Sequence, residues 1–109
     1  MADSNVMATW PIGTDFKVQI TGLKDDTGTY VNNATVTGTF VDSTNAPVTN
    51  ATSITFTLIT DSTTGDYVGA VAHNADFLDG RTYTLKITAN MSGILAYATM
   101  TRDAAITTL

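Results

Sequence analysis

Apolar and threonine residues alternate through most of this chain. In "NATVTGTFVD", Ala34, Val36, Gly38 and Phe40 interleave with Thr35, Thr37 and Thr39. In "SITFTLIT", Ile54, Phe56 and Leu58 interleave with Thr55 and Thr57, and in "RTYTLKITA", Tyr83, Leu85, Ile87 and Ala89 interleave with Thr82, Thr84, Lys86 and Thr88. A period of two places one set on each side of a strand. "DFKVQITG" and "GDYVGAVA" repeat the pattern with Phe16, Val18 and Ile20, and with Tyr67, Gly69 and Val71. "GILAYATMTR" alternates less cleanly, with Leu95, Tyr97 and Thr99 opposing Ile94, Ala96, Ala98 and Met100. Turn-forming clusters separate the runs: "KDDTGT", "DSTNAPV", "DSTTGD", "HNADFLDG" and "NMSG". The last is short enough to join two strands as a hairpin. Pro47 marks a weak edge segment near Val48, since proline is tolerated at a sheet edge.

Six clear strands and one weak one, several with a threonine-rich face left to water, predict an all-β fold. A wet face suits antiparallel sheets, and the turn spacing suits two of them packed together. The expectation is a seven-stranded antiparallel Greek-key β-sandwich in a single domain over residues 14–109. Residues 1–13 follow no period and read as an N-terminal arm that docks elsewhere.

Composition strengthens the all-β reading. The 109 residues include 23 threonines, and all ten acids are aspartate. With no glutamate, three lysines and one glutamine, the usual fillers of exposed helix faces are scarce. Threonine's branched Cβ favours the pleated surface. The net charge of −5 with two arginines argues against a nucleic-acid partner, which requires a basic face. No apolar run reaches membrane-spanning length, so no membrane partner is expected. The absence of cysteine rules out disulfides and thiolate metal sites. The opening "MADSNVMATW" lacks the basic and apolar regions of a secretory signal, which predicts assembly in the producer's cytoplasm.

The stretch "FLDGRTYTLKITAN" has the parts of a corner leading into a strand. Leu78 is placed to plug the end of a sandwich, Gly80 to take positive φ at the bend, and Tyr83 to bury its ring and hydrogen-bond back to the chain. Together with "GDY" at residues 65–67, this corner resembles immunoglobulin-like or transthyretin-like modules of bacteria and phages, over residues 15–102. The resemblance implies an immunoglobulin-like architecture. The Cys pair and buried strand tryptophan of antibody domains are missing, and Trp10 precedes the first clear strand.

No catalytic set emerges. A single histidine, His73, cannot supply a multi-histidine zinc site. Aspartates gather in turn signals, at Asp25 and Asp26, Asp61 and Asp66, and Asp76 and Asp79, where a side chain that bonds nearby backbone is the ordinary occupant. No cofactor, metal or enzymatic activity is expected. Val6, Met7, Trp10 and Ile12 are the candidate interface residues, because large apolar groups outside a core need a partner; Trp10 has the alternative of capping its own domain. The family resemblance then implies a structural protein of a tailed-phage virion, such as a capsid decoration or head or tail assembly module. Its partners would be virion subunits, its own copies among them. The alternative is a binding module of a bacterial surface or secreted protein that recognises glycan or protein through end loops such as residues 24–30.

Overall fold

The computed structural model describes residues 9–106. They form seven strands and no helix: β1 (Thr9–Ile12), β2 (Phe16–Ile20), β3 (Thr35–Asp42), β4 (Ile54–Leu58), β5 (Tyr67–Val71), β6 (Thr82–Met91) and β7 (Ile94–Ile106). All seven join one sheet in the order β1-β7-β6-β3-β4-β5-β2. The sheet is mixed. β1 runs parallel to β7, pairing Thr9 with Asp103 through Ile12 with Ile106, and the other five pairings are antiparallel. A wholly antiparallel arrangement is therefore corrected by the β1–β7 pair.

The sheet curls until its two outermost strands nearly meet, giving an almost barrel-like shape. Trp10 on β1 stacks on Phe16 of β2 with ring centroids 6.2 Å apart. Phe40 lies edge-on to Trp10 at 4.9 Å and to Phe77 at 5.0 Å, and Phe77 meets Tyr83 at 4.9 Å. Around this aromatic cluster pack the alternating residues Val18, Val36, Phe56, Val71, Leu85 and Ile87, all buried. The threonine faces look outward.

The expected arm is corrected at its C-terminal end. Thr9–Ile12 is a strand, and Trp10 is only 2% exposed. The sequence missed it because four residues, one of them Pro11, are too few to show a period. The segment near Val48 is not a strand. It forms an isolated bridge between Val41 and Pro47, fixed by Val48 N–H to Phe40 C=O and Phe40 N–H to Ala51 C=O. Seven strands are present, but β1 is the seventh.

"NMSG" makes the longest ladder possible. Ser92 and Gly93 both adopt positive φ, 52° and 88°, as a two-residue hairpin loop of primed type requires. The register then runs unbroken from Met91 opposite Ile94 to Thr82 opposite Asp103.

Gly38 and Gly69 face inward and form the floor of a slot for Phe56. A Cβ on Gly69 would lie 3.0 Å from two Phe56 ring carbons and 3.1 Å from Ile54 Cγ2; one on Gly38 would meet Phe56 and Leu85 at 3.0 Å. Gly69→Ala should therefore destabilise the fold by overpacking, by about 1–3 kcal/mol. A urea midpoint equal to that of the parent would show that Phe56 has room to shift.

Candidate functional site

The corner comes first. Tyr83 is buried, and its hydroxyl accepts the Leu78 N–H at 2.8 Å. Its backbone carbonyl accepts the Trp10 Nε1–H at 3.0 Å. Gly80, at φ 78°, lets the chain turn so that its N–H reaches the Ala104 carbonyl at 2.8 Å. Leu78 does not plug the end of the fold; it is 52% exposed. Its neighbour Phe77 is the plug, packed among Phe16, Phe40 and Tyr83. The Tyr83 hydroxyl, the Tyr83 carbonyl and the Gly80 N–H are each engaged in holding the chain together.

Tyr67 does a similar job at the other end. Its hydroxyl donates to the Val31 carbonyl at 2.8 Å and accepts the Ala34 N–H at 3.2 Å, tying down the chain that crosses from β2 to β3. In the sequence Tyr67 showed only as the opening of a strand. Nothing in its spacing marks the distant segment it binds.

The aspartates brace turns. Asp25 Oδ1 accepts from Thr27 N–H, Thr27 Oγ1–H and Thr29 N–H at 2.7–3.0 Å. Asp42 Oδ1 accepts from Thr44 N–H, Thr44 Oγ1–H and Ala46 N–H at 2.6–3.0 Å. Both follow the pattern Asp-x-Thr, then Gly28 or Asn45 in the left-handed region. Asp66 accepts from Ser62 Oγ, Thr64 Oγ1 and the Gly22 N–H. Bonds from the hydroxyls of Thr27, Thr44 and Thr64, followed by backbone N–H donors, hold these three carboxyls below the ordinary aspartate range. Among the described residues, no three histidine or acidic side chains gather to hold a metal.

His73 pairs with Asp15 in the open. Its Nδ1 lies 2.9 Å from Asp15 Oδ1, which also accepts the His73 N–H at 2.7 Å. These bonds pull the Asp15 carboxyl below its usual value. The side chains are 67% and 76% exposed, so the pair clips the start of β2 to the end of β5 at the surface.

The candidate interface residues fall apart as a group. Trp10 is core, and Ile12 is half-buried against it. This corrects Trp10 as an outward anchor: its ring and its N–H are both occupied within the fold. Val6 and Met7 lie outside the described residues.

The exposed apolar surface sits elsewhere, on the hairpin of β6 and β7. Ile94 is 68% exposed, Leu95 49% and Tyr97 72%. Among the described residues, β1 covers the outer edge of β7 from Asp103 to Ile106. Among the described residues, no strand pairs with that edge over residues 94–101, and none of those eight residues is charged. On the inner face, Ala96 and Ala98 lie opposite Ala89 and Ile87 and border a groove. One part of it, about 230 Å³, runs past Ile20 and Leu23; the next, about 410 Å³, continues past Val31, Ala34 and Met91. Among the described residues, the groove lies along the part of β7 beyond its pairing with β1. The sequence signal for it was the weak alternation of "GILAYATMTR", in which both faces are apolar.

A comparison with family models, curated proteins and solved structures found no match.

Two outcomes follow from the bonds just described. Tyr83→Phe should lower stability by about 1 kcal/mol, and Tyr67→Phe by more, about 1–3 kcal/mol, because it strands both a carbonyl and an N–H. Denaturant melts measure both, and equal losses would contradict the ranking. The pH dependence has a definite sign. The folded carboxyls of Asp25, Asp42 and Asp66 titrate below their unfolded values, so their stabilisation is present above about pH 4 and is lost as pH falls through the lower folded values. Urea midpoints should hold level from pH 7 to about 5 and fall below about 4. A midpoint that stays level to pH 2.5 would contradict this.

Proposed function

We propose that this chain is a non-enzymatic structural protein that works by protein–protein contact at the β6–β7 hairpin. The supporting observation is the uncharged apolar strip of residues 94–101, exposed on a chain of net charge −5. Natural sheets blunt an open edge with lysine, proline, a bulge or a very short strand. β2, the other outermost strand, is five residues long and carries Lys17. Over residues 94–101 β7 has no lysine and no proline and is long. A surface left that way is suited to being covered.

The immunoglobulin-like reading belongs here too. The run β2-β5-β4 beside β3-β6-β7 follows the strand order of the two immunoglobulin sheets, with β1 added parallel to the last strand. The hydroxyl bond from Tyr83, near the start of β6, back to the N–H of Leu78 has the form of a tyrosine corner. Both favour a curled immunoglobulin-like Greek key. With the sequence resemblance, they favour a module of a tailed-phage virion, such as a capsid decoration or a head or tail assembly protein, with other virion subunits as partners.

A surface-protein binding module is the second reading. Lys24 and Tyr30 bridge one end loop, with the Lys24 ammonium 4.8 Å from the Tyr30 ring, and that loop borders the larger part of the groove. Immunogold electron microscopy with an antibody to the chain separates the two. Label on virions from the source lysate, at a regular position on head or tail, is the expected result. Particles without label, with label on host cell envelopes, would overturn the virion assignment in favour of the second reading.

A further inference from the structure

The two ends of the curled sheet come together where Trp10 stacks on Phe16, and farther along a groove separates them. One wall of the groove is the inner face of β7 at Ala96 and Ala98; the other is residues 20–24, where the chain leaves β2. The groove is lined by apolar groups, and among the described residues nothing covers Ala96 or Ala98, both exposed. One segment of this chain is aimed at that gap. β1 runs parallel to β7 and is already a strand at Thr9, the first described residue. Carrying its register back from Thr9 opposite Asp103 sets position 8 opposite Arg102 and position 1 opposite Leu95. The eight residues before Thr9 therefore match in length the stretch of β7 that lies beyond the described pairing.

We propose that residues 1–8 continue β1 in parallel along β7, with Val6 over Met100 and Ser4 over Ala98, and fill the groove from within the same chain. Trp10 and its partner Ala104 are both buried, so the even-numbered positions of β1 face inward. Alternation sends Ala2, Ser4, Val6 and Ala8 to the groove side, and Asp3, Asn5 and Met7 to the outer side. The groove side then carries small, uncharged side chains, which a narrow apolar slot between two strands can accept. The charge of Asp3 and the amide of Asn5 stay in water. The added ladder also gives partners to the backbone groups along the outer edge of β7. The proposal does not depend on the β6–β7 contact reading, because Leu95 and Tyr97 lie on the outer face and remain open to a partner.

The chain has no cysteine, so an introduced pair reports one contact. Partners on neighbouring strands lie about 5 Å apart, within disulfide reach, and an offset of four residues adds about 13 Å along the strand. Under mild oxidation Ser4→Cys with Ala98→Cys should link within one chain. Val6→Cys with Ala96→Cys, four residues out of register, should not. Amide hydrogen exchange gives a second readout on the full chain. In the parent, the amides on the β1-facing edge of β7 over residues 96–101 should be protected. Val6→Asp, which sets a carboxylate against Met100, should speed their exchange at least tenfold, whereas Asn5→Asp on the outer side should leave it unchanged. Equal linking of the two cysteine pairs, linking of neither, or fast exchange along that edge in the parent overturns the proposal. A covalent dimer from Ser4→Cys with Ala98→Cys also overturns it, and assigns the groove to the same segment of a second copy.

Discussion

The fold turns on a single bond between distant parts of the chain, from Trp10 Nε1–H to the Tyr83 carbonyl, 3.0 Å long and spanning 73 residues. A curled sheet closes only if its first and last strands are brought over the same core. Trp10 does this with its ring, against Phe16 and Phe40, and with its N–H, against the backbone of β6. A buried indole N–H without an acceptor would cost about 1–3 kcal/mol, so the acceptor fixes where β1 can lie. The acceptor residue is itself fixed, since Tyr83 is held by Phe77 and by the N–H of Leu78. The corner, the aromatic cluster and β1 are therefore one construction.

That construction decides what remains open. With Trp10 seated beside Ala104, the described part of β1 lies along β7 at Asp103–Ile106. The positive-φ pair Ser92–Gly93 carries β6 and β7 well past that point. The groove under Ala96 and Ala98 lies along the inner face of this hairpin, beyond the described pairing with β1.

Much of this was legible in the sequence, for reasons that differ by element. Strands β3, β4 and β6 showed through because each has a buried face and a threonine face, and β5 because Tyr67, Gly69 and Val71 alternate; in each, period two survives over five or more residues. The hairpin was legible because "NMSG" leaves room for two loop residues only. The corner was legible in part: Gly80 and Tyr83 take the φ and the hydrogen bond expected of them, whereas Leu78, one residue past the true plug Phe77, is exposed. β1 was not legible, because Trp10 is core only by virtue of its partners on β6 and β3, and no local pattern encodes them. The exposed apolar strip was hidden for the opposite reason. Residues 94–101 are largely apolar on both faces, so periodicity gave neither a core side nor a water side, and only the register with β6 shows which face is inner.

The threonine-rich surface bears on assembly as well as on fold. Lysine and glutamate are costly to fix in a contact, because each loses about 1.5–2 kcal/mol of rotamer freedom when immobilised. A β-branched threonine in a strand is already restricted at χ1 and has little left to lose. A sheet faced with Thr84, Thr88, Thr99 and Thr101 stays wet as a monomer and yet carries a small entropic penalty for burial. Thr84 and Thr101 hydrogen-bond to each other across strands at 2.9 Å, so part of this face's polarity is satisfied within the fold. A surface of this kind suits repeated, closely packed contacts between rigid units. Threonine in place of glutamate and lysine thus acts at two levels, directing the chain into strands and giving those strands a surface with little rotamer freedom to lose.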